Sequence, residues 1–372
     1  MAIVDSGDAD LGVLAERLQS WVRRQPGAQA AHISGLRSAS EANGFSNATY
    51  RFTLSRPGAA DEALILRLPP ARTGLFPSYD MARQYAFMDR LHGEAGLAMA
   101  RCRWLEQDPA ALGRPFYVAE FVAGETASDQ PKYLCEGWIV DADVAQRRRL
   151  WDSSVQQLVQ LARVRWHGEQ LASLDWADRQ RPRLTQHLAM WSRMGAWGAQ
   201  QLPTQDDPFF NALGAWLLAH RPHEERPGIV WGDSRFGNIL YRDFEPVALL
   251  DWELAVIGDP LTDLAYMLFH VFLTELYHGD LGAPAPRLSG FRGDEATVAL
   301  YCEATQRPAR DYRYHWLFNA YKMLCIWQCK AALMVRSGVW SVEQALVEQR
   351  GERLRPWIQR VLDSGPDGAY LR

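Results

Sequence analysis

Ile229-Val230-Trp231-Gly232-Asp233-Ser234-Arg235-Phe236-Gly237-Asn238-Ile239-Leu240, continued by Leu249-Leu250-Asp251-Trp252-Glu253, carries more structural information than any other part of this chain. Between the two pieces, Ile239 to Tyr241 and Val247 to Leu250 flank a turn over Arg242 to Pro246, the pattern of a short hairpin. The order is therefore an Asp, a loop, an Asn, a hairpin and a second Asp at a strand end. A tight loop places Asp233 beside Asn238, and the hairpin returns Asp251 to the same spot from the opposite side. An isolated Asp-x-x-x-x-Asn is common and means little alone. Here the hairpin, the apolar flanks and a β-rich segment upstream accompany it in a fixed order.

That order is the one phosphoryl transfer asks for. One carboxylate orients an attacking hydroxyl and accepts its proton, while a separate Asn and Asp hold the magnesium that neutralises the phosphate oxygens. Working upstream, Tyr50, Phe52 and Leu54 alternate with polar residues across Ala48 to Ser55, the period of a half-buried strand. Arg56-Pro57-Gly58 turns the chain. In the next run, Ala63 to Leu68, the residues Leu64, Leu66 and Leu68 share one face, so Arg67 projects from the other. Met81, Tyr85 and Met88 recur at helical spacing before Gly93, and Pro115 to Val122 is a further apolar run ending near Gly124, which reads as a hinge. Residues up to Val122 thus read as strands plus one helix.

Downstream the pattern is mainly helical. Val155, Leu158, Val159 and Ala162 form one stripe, and Trp316, Ala320, Met323, Trp327, Ala331 and Met334 form a longer one that reads as core. Gly279 to Asp294 contains Ala-Pro-Ala-Pro and has no period; it reads as a loop that moves or covers a site.

Composition narrows the class of partner. The chain has 372 residues, 48% of them apolar and 23% charged, which suits one large domain or two lobes. A net charge of -4 and a pI near 6.2 provide no basic field for nucleic acid or an anionic membrane. Five cysteines, odd in number and without CxxC spacing, fit a reducing compartment, with Cys325 and Cys329 as core residues. The acidic start, Met-Ala-Ile-Val-Asp-Ser-Gly-Asp, lacks the basic and apolar regions of a signal peptide, and no apolar run is long enough to span a membrane. The expectation is a cytoplasmic protein.

The segment WGDSRFGNILYRDFEPVALLDWELAVIGDPLTDLAYM resembles the aminoglycoside phosphotransferase and choline kinase superfamily, most closely the kinase-like domains fused to acyl-CoA dehydrogenases. NGFSNATYRF, LILRLPP, MARQYAFMDRL, GRPFYVAEFVAGET and YCEATQR follow the same order, so the resemblance spans about Ile33 to Leu362. It implies an α+β, protein-kinase-like fold: a β-rich, nucleotide-binding N-lobe over residues 1–122 and a larger, mainly helical C-lobe over residues 123–372. It implies ATP and Mg2+ as cofactors, Asp233 as the catalytic Asp, and Asn238 and Asp251 as magnesium ligands. Gly44-Phe45-Ser46-Asn47 would cover the phosphates through backbone N–H groups and the Ser46 hydroxyl, the alternative being an ordinary hairpin turn. Arg67 takes the place of a phosphate-gripping Lys, and Glu120 to Val122 would offer backbone groups to adenine. Asp259 and Asp263 are expected to brace the loop by hydrogen bonds, with Glu253 outside the centre itself.

Three residues depart from the family pattern. Arg67 stands for Lys, Gln84 stands for the helix Glu and can still accept a hydrogen bond from Arg67 without neutralising it, and Trp231 replaces a His and is expected to pack. The acceptor is a small-molecule hydroxyl. From Leu264 to Arg372 eleven acidic residues face thirteen Lys and Arg, and with Tyr301, Trp316, Tyr321 and Trp327 this favours a partly apolar, neutral or anionic acceptor over a polycation. The resemblance implies a hydroxyacyl-CoA or related hydroxy acid. The competing readings are an antibiotic-modifying kinase and a non-catalytic nucleotide-binding module.

Overall fold

The computed structural model describes residues 11–39, 47–71, 74–129, 132–166, 173–203, 206–222, 226–279 and 283–364. The chain divides into two compact units, one of Met1–Gly93 with Met99–Ala123 and one of Glu94–Ala98 with Gly124–Arg372.

The first unit is a five-stranded antiparallel sheet in the order β1-β2-β3-β5-β4. Its strands are β1 (His32–Ser38), β2 (Ala48–Ser55), β3 (Glu62–Leu68), β4 (Cys102–Glu106) and β5 (Phe116–Glu120), with helices α1 (Leu11–Val22) and α2 (Met81–Leu91). The alternation in β2 and β3 buries Phe52, Leu54, Leu64, Leu66 and Leu68, which pack with Leu18, Trp21 and Val22 of α1 into one core. Helix α1 is a second helix where the sequence suggested one. β1 and β4 also escape a search for period two, and for a physical reason. Each carries a register shift, between Ser34 and Arg37 in β1 and between Cys102 and Trp104 in β4, so inward and outward residues stop alternating.

The second unit is mainly helical. Its helices are α3 (Trp138–Asp141), α4 (Val144–Arg163), α5 (Arg183–Ala199), α6 (Pro208–Ala219), α7 (Leu261–His278), α8 (Asp294–Thr305), α9 (Tyr312–Arg336), α10 (Val342–Glu348) and α11 (Arg355–Asp363). Two small antiparallel pairs sit among them, β6 (Gly228–Val230) with β9 (Val256–Gly258), and β7 (Ile239–Arg242) with β8 (Glu245–Leu249). Helix α4 begins at a capping box, in which Asp143 accepts from the Gln146 N–H and Gln146 accepts from the Asp143 N–H. The α9 stripe is core at five of its six positions: Trp316, Ala320, Met323, Ala331 and Met334 are buried, and Trp327 is half-buried. Gly198 lets α5 approach it, because a Cβ there would lie 2.6 Å from the Cys329 nitrogen. All five cysteines are free thiols, and Cys325 and Cys329 are buried.

The described part of the Gly279 to Asp294 connection is tied down by charge. Arg287, one-tenth exposed, donates from Nε to Glu275 Oε1 at 2.8 Å and from Nη1 to Asp294 Oδ1 at 2.5 Å. Two carboxylates with almost no contact with water share this cation, which secures the connection to α7 and α8. Arg287→Ala strands both, and breaking a buried pair from one side costs about 3–5 kcal/mol. Urea unfolding of the variant is expected to show a loss of that size.

His187 supplies a pH signature. Its Nε2 accepts the Trp191 indole N–H at 3.1 Å, which requires a neutral imidazole. Burial first, then Lys322 and His315, lower its pKa to about 3. The folded state therefore refuses a proton that the unfolded chain takes up near 6.5. Stability should fall as pH drops from about 6.5 toward 3, and His187→Gln should flatten that slope in a pH series of thermal midpoints.

Candidate active site

β6 pairs with β9 through Ile229↔Ile257, and the chain leaves the pair at Trp231 and Gly232 just before Asp233. Gly232 has φ +89, and a Cβ there would sit 2.4 Å from the Leu254 carbonyl oxygen, so this position admits only glycine. Asp263, in the first turn of α7 and 1% exposed, accepts the Trp231 N–H at 2.7 Å and the Gly232 N–H at 2.9 Å. Burial raises the pKa of this carboxyl, while the two N–H donors and Lys322 pull it down. Ser234 Oγ donates to the Asp263 carbonyl at 2.7 Å, and the Lys322 ammonium donates to the Gly232 carbonyl.

A single 3-10 turn, Phe236–Asn238, closes the loop. Asn238 Nδ2 donates to Asp233 Oδ2 at 2.7 Å and to the Asp233 carbonyl at 3.0 Å. Both bonds use the amide nitrogen, which leaves the amide oxygen as the group this side chain has to offer. The β7–β8 hairpin then reverses at Asp243 and Phe244, both with positive φ, as a two-residue hairpin turn requires. The Leu250 N–H donates to the Asn238 carbonyl at 2.8 Å, which brings the chain entering Asp251 alongside Asn238. Trp231 is fully buried, donates from Nε1 to the Leu250 carbonyl at 2.8 Å and stacks on Trp252 at 5.9 Å. It packs, as expected, and it also fastens the residue before Asp251. Asp251 itself adopts the left-handed conformation at φ 61.

Charged groups that the sequence reading did not single out surround Asp233. Arg235 Nε lies 3.5 Å from Asp233 Oδ2, and Arg235 Nη1 donates to Asp129 Oδ2 at 2.5 Å. Burial disfavours charge on Arg235, but Asp233 and Asp129 outweigh it and raise its pKa. Burial would likewise raise Asp129, yet Arg235, then His270 and Lys132, hold it below the usual carboxylate range. Asp263 braces the loop by hydrogen bonds as expected, whereas Asp259 does not reach it and is bound by other groups. Asp259 accepts from Arg307 Nη1 at 2.9 Å and from the Leu261 N–H at 3.0 Å.

The candidate residues of the first unit stand apart in this account. Arg67 lies on β3 opposite Thr49 and Tyr117, and Asn47 is buried just ahead of β2. Gly44 and Ser46 lie outside the described residues. The Glu120 N–H is committed to the Arg101 carbonyl at 2.9 Å, and Val122 follows two residues beyond. Gln84 does not accept from Arg67: its Oε1 is buried without a hydrogen-bond partner, and its Nε2 lies 3.8 Å from Met81 Sδ. Helix α2 seals that side chain into the core at 2% exposure.

Two sequence arguments about the acceptor are weakened. Tyr301, Trp316 and Tyr321 are buried and fill the helical core, while Trp327 is half-buried. Part of the basic complement is paired internally, with Arg287 on Glu275 and Asp294, Arg307 on Asp259, and Arg355 on Asp207.

Among the described residues no group of three or more His, Cys, Asp or Glu side chains could hold a metal ion. An amide oxygen and one carboxylate nevertheless fit Mg2+, which takes hard oxygen donors and completes its shell with water and phosphate. Among the described residues no helix is long and apolar enough to cross a membrane.

Comparison with known proteins accords with this arrangement. The family described as the phosphotransferase enzyme family matches residues 40–300. Acyl-CoA dehydrogenase family member 10 of Mus musculus is 26% identical over 323 residues, 83% of this chain and 27% of that protein. The chain thus spans about a quarter of the length of that curated relative. A Ralstonia eutropha structure, provisionally described as an aminoglycoside phosphotransferase, aligns with TM-score 0.67 and 25% identity over 93% of this chain and 96% of that one. A thermostable aminoglycoside phosphotransferase APH(4)-Ia, solved with ADP and hygromycin B, shares the fold at TM-score 0.54 and 14% identity, covering 94% of this chain and 99% of that one. The α+β architecture of sheet and helical unit is therefore that of kinase-like phosphotransferases.

Gly232→Ala places a side chain against the Leu254 carbonyl at a backbone angle that other residues avoid. Strain of this kind costs about 1–3 kcal/mol before the clash is counted. The variant should unfold at a correspondingly lower denaturant concentration, and loss of activity at temperatures where it stays folded would mark the loop as the element displaced.

Proposed function

Because the chain belongs to the phosphotransferase enzyme family, we propose that it transfers the γ-phosphate of ATP to a hydroxyl group of a small molecule. The observation that carries this reading is the bond from Asn238 Nδ2 to the Asp233 carboxylate, set beside the Leu250–Asn238 contact that brings Asp251 alongside. Asp233 receives the proton of the attacking hydroxyl as its oxygen bonds the γ-phosphorus, and the bond to the bridging oxygen of ADP breaks. Asn238 and Asp251 would hold Mg2+ through the amide oxygen and the carboxylate. When bound, the ion neutralises charge on the phosphate oxygens. Arg235 stays charged beside Asp233, so the carboxylate is paired with this cation and oriented by Asn238.

We assign nucleotide binding to the first unit and acceptor binding to the second. Arg67 contacts phosphate, the loop of Gly44, Ser46 and Asn47 covers the phosphates, and backbone groups of Glu120 and Val122 meet adenine. The ADP held by the structural relative supports ATP as the donor. For the acceptor we propose a hydroxyacyl-CoA or a related hydroxy acid, in a cytoplasmic setting. Likeness to an acyl-CoA dehydrogenase family member supports this choice, while likeness to aminoglycoside phosphotransferases makes a polycationic antibiotic the competing acceptor.

The deciding experiment incubates the protein with ATP, Mg2+ and a panel of hydroxy acids, their CoA esters and aminoglycosides, with ADP release as the readout. Faster turnover of kanamycin-like compounds than of hydroxyacyl thioesters would overturn the acceptor assignment, and no transfer to any alcohol would leave a nucleotide-binding module. Asp233→Asn should keep nucleotide binding while lowering kcat by ~10²–10⁴-fold. Asp251→Ala should abolish productive Mg-ATP binding, measured by titration with and without the metal.

A further inference from the structure

One buried cation has no part in the roles assigned above, yet it touches the peptide that carries Asp233. Lys322 of α9 is 2% exposed and donates its ammonium to the Gly232 carbonyl. It lies 3.5 Å from the ring centre of Tyr266 and 5.3 Å from that of Trp191, so aromatic faces replace water around it. The same glycine gives its N–H to Asp263. Gly232 is therefore gripped on both sides, by a carboxylate at its donor and an ammonium at its acceptor.

The grip on the carbonyl has a directional effect. A peptide unit is planar, so the Gly232 carbonyl shares a plane with the nitrogen and Cα of Asp233. Fixing the carbonyl fixes the N–Cα bond of Asp233 and leaves φ of that residue as the one backbone rotation that aims its side chain. Glycine is the residue with the widest conformational choice, so without an outside restraint the plane before Asp233 would be free to turn.

We propose that Lys322 is a positioning residue for phosphotransfer: by holding the Gly232 carbonyl while resting on the Tyr266 ring, its ammonium sets the orientation of Asp233 toward the acceptor hydroxyl. This rests on the reading of Asp233 as the proton acceptor. The choice of residue supports it. A methionine would fill the same length of α9 without desolvating a charge, and buried charges are often replaceable by apolar side chains with no loss of stability. Burial lowers the Lys322 pKa while the Asp233 and Asp263 carboxylates pull it back up, so the fold bears a cost for keeping an ammonium here. The bond to the Gly232 carbonyl sets that charge against the peptide leading into Asp233. Tyr266 extends the same contact. Burial, then the Asp233 carboxylate, push its phenol well above the usual range, so it keeps its proton beside that carboxylate. A cation over the ring draws on its electrons and strengthens the phenol as a donor.

Hydrogen–deuterium exchange of the full chain, without nucleotide or acceptor, compares wild type with Lys322→Met. Amides across residues 231–238 are expected to exchange at least about tenfold faster in the variant, with the first-unit sheet unchanged. Unchanged exchange in that segment overturns the proposal. Should the methionine variant fail to fold, Lys322→Gln, which keeps a donor and drops the charge, is measured against the same criterion. In turnover assays with Mg-ATP and an accepted alcohol, kcat per nucleotide-binding site should fall by about 10²-fold in Lys322→Met, while KM for ATP stays within about twofold. A merely structural role would reduce the number of binding sites and leave turnover per site unchanged, and that outcome also overturns the proposal. If the wild type transfers phosphate to nothing, the phosphotransfer reading is what has failed, and the exchange comparison still decides whether Lys322 holds the Gly232–Asp233 segment.

Discussion

A carboxylate shut away from water must find its donors inside the protein, and Asp263 finds them in the backbone of Trp231 and Gly232. Much of the second unit's central region follows from that constraint. The two N–H groups can reach one carboxylate only if the chain turns sharply after β6, which Gly232 allows. The turn delivers Asp233 into the 3-10 loop, where Asn238 meets it. Since Asp263 opens α7, the same contact couples the loop to the helix that carries Tyr266, His270 and Glu275.

Local signals made the loop and hairpin legible in the sequence. Their lengths can be read directly, and the structure has Asn238 bonded to Asp233 and the chain entering Asp251 held alongside Asn238. The supporting cast left weaker traces. Asp129 stands more than a hundred residues before Arg235 in a segment with no period, and nothing local says that they pair. Lys322 interrupts an otherwise apolar helical run, which was a usable signal for a buried cation, although its partner could be found only in three dimensions.

The fold was legible where periodicity was clean. β2 and β3 alternate without fault and were readable to within a residue, whereas β1 and β4 carry bulges that scramble the alternation. Aromatic residues misled in a different way. Tyr301 and Tyr321 suit a ligand surface by their chemistry, but the same rings suit the interior of a helical bundle equally well, and burial is not encoded in residue type. Gln84 repeats the lesson, since its place in a kinase-like order suggested a partner that the packing of α2 does not supply.

The β7–β8 hairpin sets a rule about insertions and deletions. Successive residues of a strand point to opposite faces, so adding or removing one residue between Asn238 and Asp251 would shift the pairing Ile239↔Leu249 and turn the following side chain the other way. Sequence drift can be wider at Glu245 and Pro246 than at Asp243 and Phe244, whose positive φ favours Asn, Asp or Gly, while the count stays fixed. In related chains, the length of this hairpin should vary less than its composition, and a chain that breaks the count would have to move or add to the irregularity that the pairing already carries between Leu240 and Tyr241.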